Sequence, residues 1–128
     1  MAEMTIKKRP KNLDLTTIKL PLPGKVSILH RVSGAGLFIC LPVILWLFSA
    51  SLSSAETYAT FKSVFASLPV KVVLAGLIWA YLHHFCAGVR FLLLDLHIGI
   101  DKETANKSAV GVLAVSIPLT LIFWGILL

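Results

Sequence analysis

The stretch YLHHFCAGVRFLLLD, residues 81–95, is an apolar run interrupted by two histidines, a glycine and an arginine. Wound as an α-helix at about 100° per residue, it places His84, Gly88, Phe91 and Asp95 on one face, within roughly 60° of one another. Gly76 and Ala80 continue that stripe at four-residue steps. Such a row of small residues has low relief, so another helix backbone or a flat cofactor can approach it closely. His84 is the one nitrogen ligand standing in the stripe. His83 lies about 100° around the helix, off the stripe, and is the weaker candidate.

Outward from this stretch, the apolar run extends back to Val72, and two more runs, Val32 to Leu52 and Ser108 to Leu128, flank it. Each has about 18–21 residues, enough to cross a hydrocarbon core. The 128 residues are 57% hydrophobic and only 14% charged, which is not the composition of a soluble domain. A mean hydropathy of +0.88 agrees with that. The expectation is an all-α integral membrane protein with three transmembrane helices, spanning about residues 30–52, 68–94 and 106–128. Residues 27–128 form the transmembrane domain, and residues 1–26 form an N-terminal arm on the cytoplasmic side. Pro10, Pro21 and Pro23 argue that the arm is extended or irregular. It either sets topology alone or lies along a soluble partner.

Charge orients the spans. Lys7, Lys8, Arg9, Lys11, Lys19, Lys25 and Arg31 precede the first run, and Arg90, Lys102 and Lys107 lie between the second and third. Only Lys62 and Lys71 fall on the other side. The positive-inside rule places the N-terminus in the cytoplasm of a bacterium, with the chain in its inner membrane, or on the equivalent matrix side of a mitochondrion. Trp46, Tyr58 and Trp124 then lie toward the outer interface. The formal charge of +6 follows from this bias and does not indicate nucleic-acid binding. Cys40 and Cys86 lie inside apolar runs and read as small buried hydrophobes. The segment SLSSAETYATFKS reads as an outer loop, Pro42 as a kink in the first helix, and the third helix as lipid-facing scaffold. Thr104 or Asn106 is the expected N-cap of that third helix.

Two groups of residues carry chemistry. An unpaired histidine inside a bilayer is costly, and neutral imidazole binds haem iron well. The same pattern also serves a histidine that only hydrogen-bonds across a helix interface, so His84 has two readings. The second group is SILHRVSG, residues 27–34, in which Ser27, His30, Arg31 and Gly34 share one side of a helix over about 100°. Together they make a polar pocket at the membrane boundary. With a rise of about 1.5 Å per residue, His84 lies roughly 9 Å deeper than Arg90. A haem with its iron at His84 could turn its propionates toward His30 and Arg31. No span carries an acid at its midplane or a basic ring, which argues against a transporter or channel.

RPKNLDL (residues 9–15), SILHRVSG (27–34) and HFCAGVRFLLLD (84–95), in this order and spacing, resemble three landmarks of the cytochrome b556 subunits of succinate dehydrogenase, the membrane anchors of respiratory complex II. The resemblance covers essentially the whole chain. It implies a subunit of a four-protein enzyme, with a flavoprotein that oxidises succinate and an iron-sulfur protein that passes electrons on. A second membrane-anchor subunit then packs with this chain into a haem-binding bundle and completes a ubiquinone site. It implies that His84 is an axial ligand of haem b, the other ligand coming from the sister subunit. His30 and Arg31 become propionate contacts, Ser27 and Arg31 quinone contacts, and Asp95 a candidate proton relay. Two departures stand out. Phe91 occupies the place where the family pattern usually has a histidine, and Pro21, Leu22 and Pro23, with Lys25, replace a common Pro-Ile-Thr pattern. The competing reading is a haem-free structural anchor for a soluble dehydrogenase or fumarate reductase.

Overall fold

The computed structural model describes residues 17–127. Most of the basic arm and the RPKNLDL stretch therefore lie outside the described residues. The chain forms four helices in order: α1 (Leu22–Ser51), α2 (Ala55–Ala66), α3 (Leu68–Asp95) and α4 (Lys102–Leu127). Of these, α1, α3 and α4 are long and apolar enough to cross a membrane. Their 30, 28 and 26 residues measure about 39–45 Å at the helical rise, close to the thickness of a bilayer with its headgroups.

Prolines explain where these helices start. Pro23 sits in the first turn of α1, where the missing N–H would have had no helical partner, so the chain is already helical there and not irregular. Pro69 occupies the first turn of α3 in the same way. A helix running unbroken from α2 into α3 would need an N–H at Pro69 to reach Phe65. The break therefore falls at extended Ser67, which ends one helix and precedes the next. Pro42 and Pro118 lie inside α1 and α4 without ending them.

The segment expected as an outer loop contains α2. The Ser54 hydroxyl accepts from the Thr57 N–H at 3.1 Å, and the Thr57 hydroxyl accepts from the Ser54 N–H at 3.0 Å. This reciprocal capping box satisfies two otherwise unpaired donors and starts a helix where the serines look like turn formers. The start of α4 also differs from expectation. Asp101, not Thr104 or Asn106, precedes the helix, and its Oδ1 accepts from the Thr104 N–H at 2.9 Å.

Helix α3 packs against both α1 and α4. The buried apolar residues are Val26 on α1, Ala87 on α3, and Ala109 and Val112 on α4, with Leu22, Cys86, Phe91 and Leu113 packed against them. All belong to the end of the bundle where α1 begins, α3 finishes and α4 begins, called here the Arg90 end. The buried side chains are mostly small, so the helices hold together by close backbone approach. Helix α4 is thus more than lipid-facing scaffold: Ala109, Val112 and Ser116 on it are buried.

Candidate functional site

Low relief on α3 is used first by the chain's own α1. The His84 ring lies parallel to the His30 ring, with centroids 4.2 Å apart and planes 7° from each other. Gly34 lies beneath it: a Cβ there would stand 2.6 Å from His84 Cε1, so any side chain at position 34 would displace the imidazole. Gly88 serves His30 in turn, with a would-be Cβ at 3.6 Å from His30 Nε2. Phe91 closes the group, its ring 5.1 Å from that of His30. An aromatic hydrocarbon therefore packs where the resembling pattern carries a second imidazole.

Hydrogen bonding decides the chemistry of His84. Its Nδ1 lies 3.0 Å from the carbonyl oxygen of His30. A carbonyl oxygen only accepts, so Nδ1 carries the proton and, in the neutral ring, the lone pair is left on Nε2. This is the arrangement that metal-ligating histidines use, with the second nitrogen anchored to a carbonyl. The residues fit an axial haem ligand on two counts: an oriented imidazole with a free lone pair, and a glycine cradle that admits its ring. Buried Ser33 adds to the anchor, with its hydroxyl donating to the same His30 carbonyl at 3.0 Å and lying 3.4 Å from His84 Nδ1.

Ser27 and Arg31 form a separate pair. The Arg31 Nε and Nη2 donate to the Ser27 carbonyl and hydroxyl, both at 3.4 Å. Arg31 is exposed. Its contacts are long and lie on its own helix, so the guanidinium is held loosely at the mouth of α1. The four residues expected on one polar side thus divide: His30 and Gly34 turn toward α3, and Ser27 and Arg31 do not share that contact. Asp95 is exposed in the last turn of α3. Among the described residues Lys107 pairs with Glu103, and Asp95 makes no such pair with Arg90.

His83, the weaker ligand candidate, is fully buried, and neither ring nitrogen has a hydrogen-bond partner among the described residues. The Val26 backbone stands close by, but not in hydrogen-bonding geometry. Its ring packs against Trp79, with centroids 5.1 Å apart. It is buried in the bundle and takes no part in the His30 ring stack.

Two residues of consequence escaped the sequence reading. Ser33 stood inside a quoted motif, yet its contact with His84 spans 51 positions. Arg90, read only as a topogenic charge, is 6% exposed. It donates from Nε to Ser108 Oγ at 2.9 Å and from Nη2 to the Ala105 carbonyl at 3.1 Å. It thus clamps the end of α3 to the start of α4. Its Cζ also lies 5.4 Å from the centroid of the Phe91 ring.

Comparison with known proteins now bears on this geometry. A family described as succinate dehydrogenase/fumarate reductase transmembrane subunit matches residues 5–123. The succinate dehydrogenase cytochrome b556 subunit of Paracoccus denitrificans is 31% identical over 122 residues, covering 95% of this chain and 94% of that one. Its counterpart from Coxiella burnetii is 36% identical over 110 residues, covering 85% and 88% respectively. The one from Rickettsia felis is 30% identical over 117 residues, 91% of each chain. With the match spanning nearly the whole length and three membrane-crossing helices in place, the chain belongs to the family of succinate dehydrogenase/fumarate reductase transmembrane subunits.

Proposed function

We propose that this chain is a haem-carrying membrane anchor of a succinate:ubiquinone oxidoreductase, lying in a bacterial inner membrane with its N-terminus in the cytoplasm. It shares haem b with a second anchor subunit and completes a ubiquinone site fed by the iron-sulfur subunit, while the flavoprotein subunit oxidises succinate. One observation carries the reading. The His84 Nδ1–H is committed to the His30 carbonyl at 3.0 Å, which leaves Nε2 free to bind iron.

Haem b, when bound, supplies a one-electron redox centre within the bilayer. The chain's own residues do the rest. His84 would hold the haem through Nε2, its ring oriented by the stacked His30 ring and admitted by Gly34. His30 and Arg31 supply the cationic or donor groups that haem propionates need at the membrane boundary. Arg31 and Ser27, four residues apart on α1, present a guanidinium and a hydroxyl to a quinone carbonyl. As that oxygen takes up negative charge, both donors favour the charged form before a proton arrives. Asp95, exposed at the same end of the bundle, delivers the proton.

The test is a reduced-minus-oxidised absorption spectrum of the purified complex, wild type beside His84→Ala and Arg31→Ala, together with succinate-driven quinone reduction. The expected result is loss of the b-type bands in His84→Ala. Arg31→Ala should keep the bands and lose most quinone reduction. A normal spectrum in His84→Ala would refute the ligand, and a wild-type complex without haem would establish the haem-free anchor instead.

A further inference from the structure

The carbonyl of His30 accepts two side-chain donors besides the Gly34 N–H of its own helix. The Nδ1–H of His84 reaches it at 3.0 Å, and so does the hydroxyl of Ser33, also at 3.0 Å. Ser33 is 6% exposed, so its hydroxyl is largely shielded from water. A carbonyl oxygen has two lone pairs, so with the helical N–H already bound the two side-chain donors compete and weaken each other. Ser33 Oγ also faces His84 Nδ1 directly, but at 3.4 Å, near the limit of a hydrogen bond. The shared carbonyl therefore dominates over the direct contact.

We infer that Ser33 is a positioning residue for the His84 ligand, setting through the His30 carbonyl how strongly the Nδ1–H is bound and hence how basic Nε2 is. The inference rests on the reading of His84 given above. A ligand whose N–H is strongly bound gains imidazolate character and stabilises the oxidised metal. In wild type the Ser33 hydroxyl takes part of the carbonyl and moderates that effect. Removing the hydroxyl leaves the carbonyl to His84 and the helical Gly34 N–H. The haem reduction potential then falls, while the ligand, the helix and the haem stay in place.

Ser33→Ala suits the test because alanine is a good helix former and opens little space. Ser33→Thr restores a hydroxyl that bonds the same turn of its own helix. A potentiometric titration of the haem band in the purified complex compares wild type, Ser33→Ala and Ser33→Thr, with the low-temperature electron paramagnetic resonance signal of the oxidised haem as a second readout. The expected result is a lower midpoint potential and a changed resonance signal in Ser33→Ala at full haem content, with Ser33→Thr returning toward wild type. A midpoint that is unchanged or raised in Ser33→Ala, with haem intact, overturns the role of Ser33 and leaves His84 as ligand. A His84→Ala complex that keeps its b-type bands overturns both readings, so the two failures are distinguishable.

Discussion

Adjacent histidines 83 and 84 have opposite fates. His84 has an anchored nitrogen, a stacked neighbour and a glycine cradle, whereas His83 is sealed in the core with both nitrogens unpaired among the described residues. A buried polar group without a partner costs about 1–3 kcal/mol, and an apolar residue of similar volume avoids that cost. His83→Leu is therefore expected to leave the b-type spectrum unchanged and to hold or raise the melting temperature of the complex by a few degrees, measured by the loss of the haem band on heating. Loss of the haem bands in this variant at normal assembly would show that the wrong histidine has been assigned. That His84 lay on the small-residue stripe was legible from its spacing to Gly88 alone. Which partner anchors it was not, because Ser33 and the His30 carbonyl reach it only once α1 packs on α3.

At the scale of elements, the joint between α3 and α4 is tied by two side-chain hydrogen bonds, both from Arg90. Arg90 spans it, and a hydrogen bond from a charged donor contributes about 1.5–3 kcal/mol. Ser108 Oγ also donates to the Ala105 carbonyl at 3.1 Å, so these two groups keep each other when Arg90 is removed. Arg90→Leu is accordingly expected to cost about 2 kcal/mol, the lower part of that range, read as a lowered unfolding midpoint of the detergent-solubilised complex. The loop between the two helices ends on Asp101, whose carboxyl is held below its usual range by the Thr104 N–H and then by the Thr104 side chain. A depressed carboxylate contributes stability above its unfolded value and loses it as pH falls through its folded value. Hydrogen exchange at the first turn of α4 should thus stay slow from neutral pH down to about 4 and quicken only below that. Asp101→Asn should abolish the dependence. Quickening already near neutral pH would show that the cap does not hold α4. The serines of α2 and the prolines of α1 and α3 teach one lesson: punctuation residues mark boundaries, and a boundary opens a helix as readily as it closes one.

For the whole molecule, the fully buried residues run from the Arg90 end to about the middle of the bundle, and large apolar side chains such as Phe38, Ile39, Trp46, Tyr81 and Phe85 stay exposed. A membrane covers part of that surface, and on the function proposed above a second anchor subunit covers another part. The prediction is that the chain accumulates in membranes with haem only when its sister anchor is co-expressed, measured by immunoblot and difference spectrum of the same membranes. Recovery of a monodisperse, haem-loaded protein from the chain alone would contradict it.

Fold class was settled by sequence. Three runs long enough to span a bilayer in a chain only 14% charged leave no other way to satisfy the backbone, and that constraint needs no knowledge of packing. The family, too, was legible from three motifs in order. Tertiary structure alone decided that Arg90 is a clamp and not merely a surface charge, that His83 is core and His84 is not, and that Ser33 belongs with His84. Each of these depends on which turn of one helix meets which turn of another. Apolar side chains in a bilayer do not set that register from sequence pattern, because lipid and protein are nearly equivalent neighbours for them, and only close contacts between small and polar groups choose it.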